Sequence, residues 1–183
     1  MDNQTTMDNQ TTMDTQTTMD TQTPTHRTNF GKVCEFNRCA EVDRCQLTSA
    51  SVFTEKRDLI NQRMDLIREE VRELECAVSE NDMVEVRDAL ADILYVVYGM
   101  QDAMGIDGDS DFDVVHQSNM SKFCNTLEEA NATVSSYQEK YEKSQSPYDS
   151  PYHHYLENEG KWVVKNKSTG KILKSINYNK VKW

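Results

Sequence analysis

The stretch Leu66–Met104, LIREEVRELECAVSENDMVEVRDALADILYVVYGMQDAM, decides how this chain is read. Ile60, Met64, Ile67, Val71, Leu74 and Val78 recur at alternating steps of four and three, which predicts a helix with an apolar seam. A second row, Leu59, Leu66 and Ala77, lies about 100° around from that seam. Glu70 and Glu73 interrupt this second row, with Glu69 at its margin. Ser79–Asp82 (SEND) breaks the pattern, and Asp82 with Glu85 makes a capping-box arrangement for the next helix. That helix carries Val86, Leu90, Ile93, Val97, Met100 and Met104 on its main seam, with Ala89, Ala91, Leu94, Val96, Tyr98 and Ala103 on its other sides. A helix apolar nearly all round is expected to be buried on all sides. Asp88, Asp92, Tyr95 and Gly99 share its remaining face, and Gly105 is expected to stop it.

Glu-x-x-Glu on one helix and Asp-x-x-x-Asp on the next each place two acids on adjacent turns. A short connection favours antiparallel packing, which lets the four groups converge. Like charges 4 Å apart repel by roughly 4 kcal/mol per pair at an effective dielectric near 20. Hard divalent cations relieve that repulsion, and an all-oxygen donor set suits magnesium, manganese or calcium rather than zinc. Cations so held can bridge phosphate oxygens and orient a water. EEVRELE taken alone is also an ordinary solvated helix string, with Arg68, Arg72 and Arg87 within reach as partners. Asp92 differs, being the only charge in ALADILYVVYGM, because burying an acid unpaired is costly.

Outward from this pair, Phe30, Val33, Cys34 and Phe36–Asn37 fall at roughly helical spacing, and order is expected from about Thr28. Residues 43–53 read as a loop, and Thr54 as the cap of the first long helix, with Glu55 in its first turn. A third helix is expected from the Asp109–Ser110–Asp111 cluster to about Phe123, projecting His116, Asn119 and Lys122 at i, i+3 and i+6. A lone histidine or an exposed lysine on a helix is as often structural as functional. Between 125 and 160 the chain turns polar, with one helix over about 126–143 and then a loop, SQSPYDSPYHHY. KWVVK and KILKS around NKSTG read as a β-hairpin turning at Gly170. The fold class is therefore mainly α: a helical bundle with a small C-terminal β-hairpin.

Residues 1–24 are a hexapeptide repeated four times, MDNQTT, MDNQTT, MDTQTT, MDTQTP. Apart from methionine it offers nothing apolar to bury, so residues 1–27 are read as a disordered tail and 28–183 as one domain. A net charge of −11 argues against a charge-driven grip on nucleic acid. No run approaches the roughly 18 apolar residues of a membrane span. The first residues lack the charged-then-apolar order of a secretory signal, so a cytoplasmic location is expected. The five cysteines form no C-x-x-C pair. Cys34, Cys39 and Cys45 cluster without a histidine, which reads as free thiols sooner than a zinc site.

On LIREEVRELECAV, DMVEVRDALADILYVVYGMQDAMGID, FDVVHQSNMSKF, TGKILKSINY and the opening NFGKVCEFNR, the chain resembles the MazG-like all-alpha NTP pyrophosphatases. The phosphoribosyl-ATP pyrophosphohydrolases belong to the same superfamily, and the likeness is to a branch common in phages, large viruses and bacteria. The motifs span most of 28–123 and 161–178, in the expected order; the polar stretch 125–160 has no matched counterpart. The resemblance implies a helical bundle assembled as a homodimer or homotetramer. It also implies hydrolysis between the α and β phosphates of a nucleotide, dependent on magnesium or manganese. The family's E-E-x-x-E falls on Glu69, Glu70 and Glu73, which carry the catalytic role. Glu70, Glu73, Asp88 and Asp92 are the implied metal ligands, although Ala89 stands where the wider superfamily usually has a glutamate, leaving Asp88 to supply that ligand. Tyr95, His116, Asn119, Lys122, Lys171, Lys174 and Tyr178 are the implied substrate contacts, with Asn177 beside them. A phosphoribosyl-ATP hydrolase, or a non-catalytic nucleotide-binding oligomer, fits the same residues.

Overall fold

The computed structural model describes residues 28–45 and 52–183. The expectations for the 1–27 tail, and for the 46–51 portion of the first loop, fall outside the described residues. The elements in order are α1 (Asn29–Cys39), α2 (Val52–Glu55), α3 (Arg57–Glu80), α4 (Met83–Ala103), α5 (Gly108–Met120), α6 (Leu127–Glu142), β1 (Pro151–Leu156) and β2 (Lys161–Asn166). The fold is mainly helical with one two-stranded antiparallel sheet, as the sequence pattern predicts.

The pair α3–α4 is the centre of the helical part. Its turn is closed by Asn81 in the left-handed region (φ 57°), and the Asp82 N–H donates to the Ala77 carbonyl at 3.0 Å. Asp82 then caps α4, its Oδ1 accepting from the Val84 and Glu85 N–H groups at 2.9 and 3.2 Å. Ala77 and Ala89, on either side of this turn, are buried, and such small side chains let two helices approach closely. Thr54 does not cap α3. It lies within α2, the N-cap position belongs to Lys56, and the Lys56 amine pairs with Asp43.

α1 is capped by the Thr28 hydroxyl, which accepts from the Gly31 N–H at 3.0 Å and donates to Asp109 Oδ2 on α5 at 2.6 Å. Phe30, Val33 and Asn37 form its buried stripe. Asn37 is a polar residue in an apolar register, and the reason lies across the interface. Its Nδ2 donates to the Gly99 carbonyl at 3.2 Å and to Asp102 Oδ2 at 2.9 Å. Arg44 Nε approaches Asp102 Oδ1 at 3.3 Å, and the Cys34 thiol also hydrogen-bonds this carboxylate. Burial and Asp102 together push the Cys34 thiol up to about 11, which keeps it protonated and unreactive. A side chain at Gly99 would meet Arg63 on α3 at 3.4 Å and Val33 at 3.8 Å, so glycine sits where three helices touch. At Gly108 a Cβ would come 2.8 Å from the Phe30 ring and 2.6 Å from Gln101 Oε1, so α5 starts in direct contact with α1 and α4.

The expectation that α4 is buried on all sides is overturned. Met83, Val84, Leu90, Leu94 and Tyr95 are exposed in the single chain, as are Val71 and Val78 on α3. One chain provides only α1 and α3 as large contacts for α4, too few to cover every face. α5 also ends three residues before Phe123, at Met120, with Ser121 as its C-cap.

The hairpin exists, but with different strands. β1 is PYHHYL, read as loop from its proline and polar residues, and it pairs with β2 from Pro151↔Asn166 to Leu156↔Lys161. Pro151 is tolerated because it opens a strand at the sheet edge. KILKS forms a single bridge, Lys165↔Ile172, before turning away, and the turn is closed by Gly160 (φ 62°) instead of Gly170. Cys124, Ala130, Val164 and Leu173 form a core under α6 and the sheet, edged by Val134, Tyr137, Tyr148 and Trp162. Buried Asn166 ties this unit together, donating to Asp149, Ser168 and Thr169 and accepting from the Ser150 N–H. The following tail joins α6 to α5: Ile176 N–H donates to Thr133 Oγ1 at 3.1 Å, and Ser118 Oγ to the Asn179 carbonyl at 2.8 Å.

Candidate active site

Glu69 and Glu70 are neighbours on one turn of α3 with Glu73 on the next, and Asp88 and Asp92 lie on successive turns of α4. Glu70 and Asp92 are half-buried; Glu69, Glu73 and Asp88 are exposed. The fold brings the two sets together around Glu70. Burial first, and then the charges of Glu73, Asp92, Glu69 and Asp88, raise the Glu70 carboxyl above the usual glutamate range. Carboxylates from both helices thus act on one group, which sequence spacing alone predicts only if the helices pack antiparallel.

The arginines do not neutralise this cluster. Arg68 pairs with Asp65 at 2.7 Å, and among the described residues no ion pair reaches any of the five acids. Nor do three or more acidic, histidine or cysteine groups there stand close enough to form a ready-made metal cage. All-oxygen donors, a half-buried carboxyl of raised proton affinity and the lack of a basic partner fit a hard divalent cation as the missing charge.

Among the described residues the most deeply buried acid is not Asp92 but Asp102, 6% exposed. Its donors, Asn37, Arg44 and Cys34, make it structural. The signal was present in the sequence, since Asn37 falls in the Phe30–Val33 stripe, but its partner is 65 residues away. Arg63, on the Glu70 stripe of α3, also escaped notice: its Nε is buried without a hydrogen-bond acceptor among the described residues.

The predicted substrate contacts divide. Lys122 Nζ donates to Asn119 Oδ1 at 2.7 Å at the end of α5, while His116 is exposed one turn earlier. The tail carries Lys174 to within 4.3 Å of the Tyr178 ring centre. The Tyr178 phenol is held below its ordinary range by its hydrogen bond with Ser118 and then by Lys174, Lys122 and Lys180. Lys122, Lys174 and Tyr178 are therefore one cationic group, joined by Lys180, which no spacing or motif singles out. Lys171 lies apart from it, over the Tyr148 ring at 5.5 Å. Tyr95, on α4, packs against Phe36 of α1 with ring centres 5.6 Å apart.

A mainly helical domain built on a long helix pair, with acids of both members facing one another, defines a class of all-alpha proteins. The sequence model of the phosphoribosyl-ATP pyrophosphohydrolase family, part of the MazG-like all-alpha NTP pyrophosphatase superfamily, matches residues 33–119. The match starts at Val33 within α1 and runs through both acidic helices and α5 almost to its end. An uncharacterized protein of Acanthamoeba polyphaga mimivirus is 38% identical over 128 residues, which is 68% of this chain and 49% of that protein. The chain thus spans about half the length of this relative.

Proposed function

We propose that this protein hydrolyses the α–β phosphoanhydride of a nucleoside or deoxynucleoside triphosphate, releasing the monophosphate and pyrophosphate with magnesium or manganese as cofactor. The observation that carries the reading is the Glu70 carboxyl, raised by burial and by four surrounding carboxylates from two helices, with no basic side chain among the described residues ion-paired to any of them. Glu70, Glu73, Asp88 and Asp92 are assigned to hold the cation. Such a cation supplies neutralisation of phosphate charge and a more acidic bound water. Glu69, exposed at the edge of the cluster, is assigned to orient the attacking water. His116, Asn119, Lys122, Lys174 and Tyr178 are assigned to the phosphates or sugar, where fixed positive charge offsets what develops on the leaving pyrophosphate.

The substrate in the matched family's name supports a second reading, phosphoribosyl-ATP in place of an ordinary triphosphate. A panel of NTPs, dNTPs and phosphoribosyl-ATP with magnesium, read as pyrophosphate release, separates the two. Turnover of phosphoribosyl-ATP alone selects the second reading. Nucleotide binding without release from any substrate makes the protein a non-catalytic binder.

The exposed apolar side chains support assembly as a homodimer or homotetramer. Val71 and Val78 on α3, Met83, Val84, Leu90 and Leu94 on α4, and Phe112 on α5 are all open in one chain. Such an extent of exposed apolar side chain on one helical unit marks an interface. No helix among the described residues is long and apolar enough to cross a membrane.

A further inference from the structure

The net charge of −11 is unevenly spread: residues 161–183 carry seven lysines and no acid. Among the described residues none of the seven is ion-paired. Three of them meet neutral groups instead. Lys161 Nζ donates to Asn125 Oδ1 at 2.8 Å, and Lys171 and Lys174 lie over the Tyr148 and Tyr178 rings. Asp149, an acid of the same unit, accepts from the Ser150 and Ser168 hydroxyls and the Asn166 amide. Glu157 and Glu159 lie in the turn that joins β1 to β2, at the opposite end of β1 from Tyr152.

Directly paired residues of an antiparallel sheet share a face, and faces alternate along each strand. His153, Val164 and Leu173 fall on the inner face, where Val164 and Leu173 join the core and His153 Nε2 bonds with Asn131 of α6. On the outer face Tyr152 pairs with Lys165, and Lys165 with Ile172, so three chain segments contribute one row. Tyr152 and Ile172 are each 41% exposed. Val163, opposite His154, is buried, so the open part of this face is the row at Tyr152. His154 stacks on Tyr152 with ring centres 5.9 Å apart and 20° between the planes, which steadies the phenol ring. Lys167, exposed, follows Lys165 two residues on.

An open aromatic ring beside unpaired lysines matches the two parts of a nucleotide unit in a strand: a π-face for the base and cations for the phosphates. A duplex keeps its base faces stacked inside and offers such a surface only phosphate. An acidic peptide would occupy the lysines and leave the ring unused. We propose that this outer face binds single-stranded nucleic acid with little sequence preference, a base stacking on Tyr152 while Lys165 and Lys167 meet adjacent phosphates. The face lies outside residues 33–119 and shares no residue with the acid cluster.

The test titrates the full chain into a fluorescein-labelled oligothymidylate of about 12 nucleotides, within the range that one binding module covers, and follows anisotropy in about 50 and about 200 mM salt. A duplex of the same length is the comparison. The single strand is expected to bind about tenfold more tightly than the duplex, and to weaken with salt by about 0.7 in log K per unit of log salt for each lysine–phosphate contact. Tyr152→Ala should weaken binding about tenfold with an unchanged salt slope, and Tyr152→Phe should restore it, since the ring is kept. Lys165→Gln should lower the slope by about 0.7. Circular dichroism checks that the variants fold, and Lys165→Gln decides if Tyr152→Ala does not. No anisotropy change in about 50 mM salt, or equal affinity for the duplex, overturns the proposal. So does unchanged affinity in Tyr152→Ala, or an unchanged slope in Lys165→Gln. Competition by polyglutamate as strong as by unlabelled oligothymidylate overturns it as well, and makes the face a site for acidic peptides.

Discussion

Replacing Asn37 with leucine tests the clamp that holds α1 against α4. Asn37 is 2% exposed, and its amide donates to an Asp102 carboxylate that is itself 6% exposed. Leucine shares the branching and heavy-atom count of asparagine, so no cavity opens; its bulkier methyl groups add some overpacking to the lost polar contacts. A hydrogen bond to a charged group contributes about 1.5–3 kcal/mol, and the carboxylate left behind keeps only the Arg44 and Cys34 donors. The Gly99 carbonyl lies inside α4 and retains its helical partner, so it adds little. The expected loss is about 2–3 kcal/mol by urea unfolding at fixed protein concentration. Arg44→Ala is the comparison: its side chain is 61% exposed, and an ion pair with so open a partner contributes at most about 1 kcal/mol. A smaller loss for Asn37→Leu than for Arg44→Ala would refute the assignment of the clamp to the buried amide.

Asp92→Asn removes one of the carboxylates acting on Glu70, so without metal it should melt no lower than wild type, while losing pyrophosphate release. Magnesium at about 100 times its dissociation constant should stabilise the wild type by about 2.7 kcal/mol and the variant much less, read by differential scanning calorimetry. A variant that unfolds yet keeps specific activity makes Asp92 structural. Leu90→Glu with Leu94→Glu should convert the assembled protein to monomers by light scattering with helix content retained; a wild type already monomeric at micromolar concentration removes the apolar-face argument. Glu129 tests pH dependence. Burial tends to raise its carboxyl, but hydrogen bonds from Ser175 and the Asn125 N–H outweigh that and hold it below the usual range. A group lowered in the folded state contributes stability above its unfolded pKa of about 4.3, and that stability is lost as pH falls through the folded value. Glu129→Gln should therefore be less stable at pH 7, by about 2 kcal/mol, and show a flatter acid limb in Trp162 fluorescence. An acid limb as steep as the wild type's counts against this assignment.

Local chemistry alone determined much of this protein. The 3.6-residue periods of α3 and α4, the Asp82 cap and the Thr126 cap of α6, whose hydroxyl accepts from the Glu129 N–H at 3.1 Å, depend only on neighbours in the chain. The five acids could be named for the same reason, since helical spacing fixes which turn each occupies. That they act on one another around Glu70 is a tertiary fact, because it requires α3 and α4 to be folded back on each other. PYHHYL became a strand, and KILKS did not, because the edge of β2 was open to one and the tail was drawn by Thr133, Ser118 and Ser121 to α5 and α6. The burial of Asp102 in place of Asp92 has the same origin: a half-buried acid and a clamped one look alike in a helical string, and only the partner helix, with Asn37 on it, tells them apart.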